Sequence, residues 1–161
     1  MGPEFRTGVG YDSHRFGDGG PMRLGGVDVP GDVHCVGHSD ADAVCHALTD
    51  AVLGAAGLGD IGELYPDTDP ANRGRDSVEM LAAAVALARQ EGFRVVNVDA
   101  TVVAERPKIG PHRAAMRERL AAVLGVDPRA VGVKGKTNER MGWVGRGEGL
   151  AVVAVATLAR P

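Results

Sequence analysis

The sequence predicts an α+β domain, a mixed β-sheet with helices packed on one face. Three observations predict it. The segments run strand, strand, helix, helix, strand, helix, strand, strand, which is neither the regular alternation of a parallel α/β protein nor an all-β pattern. The chain has 161 residues, the length of a single domain, and contains no internal repeat, linker or low-complexity tract. Hydrophobic residues make up 44% and charged residues 24%, so one proper core can form. Aromatics are only 4%, so that core must be built mainly from Ala, Val and Leu.

The elements follow in order. Met1 to Phe5 resembles a cloning remnant and is set aside, leaving a domain over 6–161. Residues 6–16 alternate weakly and read as a strand, followed by a turn cluster from Gly17 to Gly20. Met22 to Val29 reads as a second short strand, interrupted by Gly25-Gly26, and Pro30 to Gly37 as a loop. Ser39 and Asp40 are good helix caps, with Asp42 in the first turn, and Ala43, Val44, Ala47, Leu48, Ala51, Val52 and Ala55 recur at helical spacing up to Gly57. Gly59 to Gly74 is a long irregular segment rich in Asp, Pro and Gly. Asp76-Ser77 caps a second helix to Gln90, stopped by Gly92. Arg94 to Ala104 is a Val-rich strand, and Pro111 opens a third helix that Gly125 closes. Val131 to Lys136 and Leu150 to Leu158 are the last strands. The last is apolar at both parities, so both of its faces need cover, either within one chain or from a neighbouring subunit.

Composition narrows the function classes. The net charge of −3 gives no basic surface for nucleic acid or for an anionic membrane. No apolar stretch long enough to cross a membrane is present, and no signal peptide is recognisable. Two cysteines, Cys35 and Cys45, make no disulfide framework and read as free thiols in a reducing, cytoplasmic setting.

Asp12 and His14 lie two apart on a strand, so both point to one side, with a backbone separation of about 6.6 Å. His46 lies on the first helix, flanked on the same face by Asp42 and Asp50, either of which suits the histidine's second ring nitrogen. If strand and helix meet, Asp12, His14 and His46 form a zinc-type set with an open fourth position. His38 precedes the helix start, a place that suits a phosphate as well as plain capping. Asp60, Asp67 and Asp69 are either carboxylates for hydroxyls or turn formers. Lys136, Thr137 and Arg146 suit phosphate oxygens, and Glu139 suits magnesium. The residues alone therefore point to an α+β metalloprotein acting on phosphorylated ligands.

The motifs together are more specific. Gly10-Tyr11-Asp12-Ser13-His14-Arg15-Phe16, His38-Ser39-Asp40-Ala41-Asp42, His46-Ala47-Leu48-Thr49-Asp50-Ala51, Gly59-Asp60-Ile61-Gly62, Pro66-Asp67-Thr68-Asp69-Pro70, Asn97-Val98-Asp99, Pro107-Lys108, Lys136-Thr137-Asn138-Glu139 and Gly145-Arg146-Gly147-Glu148-Gly149 occur in this order. The set resembles the 2-C-methyl-D-erythritol 2,4-cyclodiphosphate synthase family of non-mevalonate isoprenoid biosynthesis over nearly the whole chain. The resemblance implies a lyase that closes 4-diphosphocytidyl-2-C-methyl-D-erythritol 2-phosphate into the cyclic diphosphate and expels CMP.

It also implies roles. Zinc, or another divalent metal such as manganese, would sit on Asp12, His14 and His46, and magnesium on Glu139. His38 and Thr137 would stabilise the reacting phosphates. Ser39, Asp60, Ile61 and Gly62 would face the erythritol and phosphate region, with Tyr65, Pro66, Asp67, Thr68 and Asp69 in the loop nearby. Ala104, Glu105, Arg106, Pro107, Lys108, Ile109 and Gly110 would form the cytidine pocket, and Lys136, Asn138, Trp143 and Arg146 the remaining substrate contacts. The family is a homotrimer whose sheets face the three-fold axis, with each active site between subunits, so the cytidine loop and the metal ligands of one site would come from different chains. Ser13, Trp143 and Gly135 depart from the common family pattern without touching an expected ligand. A zinc hydrolase of nucleoside diphosphate esters and a non-catalytic trimeric binding module are the alternatives.

Overall fold

The computed structural model describes residues 2–161. Its strands are β1 (Glu4–Asp18), β2 (Met22–Leu24), β3 (Val27–Val29), β4 (Val33–Val36), β5 (Arg94–Val103), β6 (Val131–Lys136) and β7 (Gly149–Arg160). The helices are α1 (Ala43–Ala56), α2 (Ile61–Leu64), α3 (Ser77–Gln90), α4 (Arg113–Leu124) and α5 (Gly142–Gly145). A five-stranded sheet runs β4-β1-β7-β5-β6, with β2 and β3 forming a separate hairpin. Only β5 and β6 are parallel; the other neighbours are antiparallel, so the sheet is mixed as expected.

Backbone contact between α1 and β1 sets the architecture. Gly8 and Gly10 face the helix, and a Cβ on Gly10 would stand 1.8 Å from the Ala47 carbonyl oxygen. With no side chains between them, helix and strand lie against each other, and Ala47, Ala51 and Ala55 complete the seam. Leu150, Val152, Ala154, Ala156 and Leu158 of β7 are fully buried on that same face. The other face is bare within one chain: Val9 is 68% exposed, Tyr11 58% and Val153 41%. The doubly apolar strand is therefore covered on one side only.

Several expectations shift. β1 starts at Glu4, inside the segment set aside as a remnant, because Glu4 and Phe5 pair with Arg160 and Ala159. It also continues to Asp18, because the segment read as a loop contains β4, which pairs with Arg15–Asp18. Val33 and Cys35 point inward there, but four residues behind Pro30-Gly31 give too short an alternation to read. The interrupted second strand is a hairpin whose turn, Gly25-Gly26, has both φ angles positive, at 62° and 75°.

The start of α1 also moves. Asp42, not Ser39 or Asp40, is the cap, and its carboxylate accepts from Cys45 N at 3.1 Å. The same buried carboxylate accepts from Gly25 N at 2.8 Å and Gly26 N at 2.7 Å, so one side chain fixes both the helix and the hairpin. Ala41 stands at φ 58° just before it, turning the chain away from the helix. Ser39 and Asp40 are thereby left free for other contacts. Cys35 and Cys45 are unpaired and buried, and burial pushes the Cys35 thiol up to about 12.

Candidate metal and substrate site

β1 presents Asp12 and His14, and α1 presents His46 across the glycine seam. His14 Nε2 lies 2.8 Å from Asp12 Oδ2. His46 Nδ1 lies 3.3 Å from that oxygen and 3.3 Å from His14 Nε2. Two ligands bonded to tetrahedral zinc at about 2.0–2.1 Å stand about 3.3 Å apart, so the triangle has the size of one face of such a site.

The proton assignment makes the case stronger. His14 Nδ1 donates to the Val36 carbonyl at 3.0 Å, so in the neutral imidazole Nε2 is the lone pair. Asp40 accepts the Ser77 hydroxyl proton and, at 3.1 Å, the Ser77 N–H. The Ser77 oxygen must then accept, so His46 Nε2, at 2.7 Å, carries the proton and Nδ1 is a lone pair. Asp12 Oδ2 is buried and has no hydrogen-bond partner. With both imidazoles neutral, three lone pairs converge on one point, an arrangement that fits a cation. Burial pushes the Asp12 carboxyl up, but the two histidines outweigh it and the net direction is down.

The second ring nitrogen of His46 is therefore served by Ser77, with Ser39 Oγ at 3.0 Å, and not by Asp42 or Asp50. Asp42 is the helix cap described above. Asp50 accepts from Ile61 N at 2.8 Å and so pins α2 to α1; burial raises its carboxyl.

The triad opens into a cavity of about 490 Å³ that also takes in His38, Ser39, Ile61, Gly62, Tyr65, Pro66 and Asp67. The irregular segment behind it is well tied. Asp60 caps α2 through Glu63 N at 2.9 Å, and Asp69 caps a 3-10 turn through Ala71 N at 2.9 Å. These two carboxylates act as turn formers. Asn72 donates to the Pro66 carbonyl at 2.8 Å, and the Arg75 guanidinium lies 4.9 Å over the Tyr65 ring.

A second cavity, of about 230 Å³, gathers Ala104, Glu105, Pro107, Lys108, Ile109, Gly110, Lys136 and Thr137. Thr137, Glu105 and Glu139 also line a cleft of about 760 Å³ with Arg140 and Gly145. Glu139 and Arg140 stand at φ 53° and 60°, and the Glu105 carboxylate accepts from Arg140 N at 2.7 Å, holding this turn. Trp143 lies with His14 in a fourth hollow, of about 240 Å³.

Within one chain, His38 and Thr137 line different cavities. Asn138 donates to the Met141 carbonyl at 2.8 Å, Arg146 pairs with Glu148 at 2.8 Å and Arg106 with Asp32 at 3.5 Å. Thr68 lies in the tied loop beside Asp67. Sequence reasoning missed Asp40, Asn72, Arg75 and Ser77 as site residues. Asp40 and Ser77 were legible only as caps, since their mutual contact spans 37 residues.

The comparisons with known proteins agree with this geometry. The YgbB family matches residues 5–159. The 2-C-methyl-D-erythritol 2,4-cyclodiphosphate synthase of Gemmatimonas aurantiaca is 69% identical over 153 residues, covering 95% of this chain and 92% of that protein. Among solved structures, the bifunctional IspDF of Campylobacter jejuni is 42% identical with a TM-score of 0.95, covering 99% of this chain, which spans 43% of that longer one. The CDP complex of IspF from Plasmodium falciparum is 33% identical with a TM-score of 0.85, covering 97% of this chain and 96% of that one. The chain belongs to the YgbB family, the family of the 2-C-methyl-D-erythritol 2,4-cyclodiphosphate synthases.

Proposed function

We propose that this protein converts 4-diphosphocytidyl-2-C-methyl-D-erythritol 2-phosphate into 2-C-methyl-D-erythritol 2,4-cyclodiphosphate and CMP. The observation that carries the reading is the convergence of Asp12, His14 and His46 at the mouth of a cavity lined by His38 and Ser39. An oxygen of the 2-phosphate attacks the β-phosphorus, the bond to the CMP phosphate breaks, and no water is consumed.

The obstacle is charge. Two unit charges at 4 Å repel by about 4 kcal/mol in a protein-surface dielectric, so each uncompensated pair slows the step by about a thousandfold. Zinc or manganese on Asp12, His14 and His46, with magnesium on Glu139, would supply Lewis-acid offset of that charge. The chain's own residues do the rest. His38 and Thr137 donate hydrogen bonds to the phosphates from opposite sides. Ser39 and the backbone of Asp60, Ile61 and Gly62 hold the erythritol and phosphate, with Tyr65 to Asp69 beside them. Residues 104–110 read the cytosine through the backbone. Lys136, Asn138, Trp143 and Arg146 complete the cradle, so that the two phosphates are positioned before reaction.

The active site is assembled between subunits of a homotrimer. Two features support this. One chain keeps the His38 and Thr137 half-sites in separate cavities, and the exposed face bearing Val9, Tyr11, Val153 and Val155 is apolar enough to be an interface. Among the described residues no helix is long and apolar enough to cross a membrane. Phosphorus NMR of the products tests the reading. A cyclic diphosphate appearing in step with CMP supports it; a linear bisphosphate plus CMP would instead make the protein a hydrolase.

A further inference from the structure

His46 receives support that none of its sequence neighbours provides. Ser77, fully buried at the first position of α3, places its hydroxyl 2.7 Å from His46 Nε2, and that hydroxyl donates to Asp40. Asp40 also accepts from Ser77 N at 3.1 Å and Asp42 N at 3.2 Å. Every contact of the Asp40 carboxylate is thus a donor on the partner's side. A carboxylate has no proton to give, so the direction of the chain is fixed: Ser77 donates to Asp40 and His46 Nε2 donates to Ser77, which in the neutral imidazole turns the Nδ1 lone pair toward Asp12 and His14.

We propose that Asp40 and Ser77 are positioning residues for the metal ligand His46, a serine-relayed carboxylate that locks the imidazole in its Nε2–H tautomer and in the orientation the cation needs. The inference rests on the reading of Asp12, His14 and His46 as the metal site. It also gives the displaced helix cap a purpose. Because Asp42 takes over capping of α1, Asp40 is free to reach α3, and the segment 38–40 docks there through Asp40 N to the Arg75 carbonyl at 3.2 Å and Gly74 N to the His38 carbonyl at 2.8 Å. The relay thereby ties the metal ligand to the end of the substrate loop. Ser39 Oγ, 3.0 Å from His46 Nε2, is a partial substitute acceptor but has no carboxylate behind it.

The near-isosteric substitution Asp40→Asn is the sharpest probe. All three partners of the carboxylate are donors, so an asparagine sets its NH₂ against one of them in either orientation; Ser77 is then no longer held as an acceptor, and His46 samples both tautomers. The readouts are the nitrogen-15 shifts of the His46 ring in metal-free protein, the zinc affinity by chelator competition, and the absorption of the cobalt form. The parent shows the Nε2–H tautomer. Asp40→Asn shows a mixture of tautomers and binds zinc about 10–100-fold more weakly, with an altered cobalt spectrum. Ser77→Ala, which leaves only Ser39 as acceptor, gives a mixture of tautomers and an intermediate loss, and it decides the matter should Asp40→Asn not fold. If folded variants keep the parental tautomer and bind zinc within twofold of the parent, the relay is refuted. If the parent itself binds no zinc, the site reading fails and the relay falls with it.

Discussion

The proposed metal site rests on Gly8 and Gly10, which supply no ligand. Gly10→Ala puts a Cβ 1.8 Å from the Ala47 carbonyl oxygen, on the residue next to His46. An unstrained carbon–oxygen contact is about 3.3 Å, so α1 must recede from β1 by about 1.5 Å. The gap from His46 Nδ1 to Asp12 Oδ2, now 3.3 Å, then opens by a similar amount. Ligands on a tetrahedral zinc stand about 3.3 Å apart, so one of the three is lost. Overpacking of this kind costs about 1–3 kcal/mol, against a typical domain stability of about 5–15 kcal/mol, so the protein stays folded. The assay is zinc affinity by chelator competition, with a thermal melt as the control for folding. Affinity falls by more than the 10–100-fold that an outer partner's loss costs. A folded Gly10→Ala protein with parental zinc affinity would refute the reasoning, because the helix would then have found room without moving its ligand.

The remaining predictions concern other parts of the molecule. Thr137→Ala leaves zinc binding unchanged, since Thr137 is outside the triad's cavity, but lowers CMP release by about 100-fold; equal turnover in steady-state kinetics contradicts its role. Val153→Glu places charge on the exposed sheet face and dissociates the proposed trimer, read by light scattering; an unchanged mass contradicts the interface. The Glu4 carboxyl is held below its ordinary 4.5 by hydrogen bonds from Arg6 and then Arg160. A lowered folded pKa means that this contribution is full above the unfolded value and is lost as pH falls through the folded one. Glu4→Gln therefore speeds hydrogen exchange of the paired β1 and β7 ends near neutral pH and makes no difference in strong acid. Identical exchange at neutral pH overturns this.

The legibility of the sequence followed the range of the interactions. α3, β5, β6, β7 and the end of α1 at Gly57 were legible because period, caps and stop residues act within a few positions. β4 was not, since its four residues earn their state from pairing with Arg15–Asp18. The cap of α1 was misplaced for a related reason. Ser39, Asp40 and Asp42 are equivalent as local caps, and only the distant amides of Gly25 and Gly26 select Asp42. Glu4 and Phe5 look like a remnant in sequence, yet Glu4 joins Arg6 at 2.7 Å and Arg160 at 2.6 Å, with both guanidiniums over the Phe93 ring.

In the site, the triad was legible because Asp12 and His14 share a strand face, and because the motif set resembles one family. The hydrogen-bond partner of His46 was not. Asp42 and Asp50 were the natural choices by helical spacing, but both are engaged by backbone amides, and Ser77 arrives from 31 residues away. The turn-forming alternative for Asp60 and Asp69 was legible, because the amides they cap lie only two or three residues away.

The most direct test is anomalous diffraction at the zinc edge from crystals grown with zinc and CMP. The expected result is one strong peak about 2.0–2.2 Å from Asp12 Oδ2, His14 Nε2 and His46 Nδ1, facing the phosphate of CMP. A fully ordered site with no peak there, or a zinc held by other residues while CMP is bound, would contradict it.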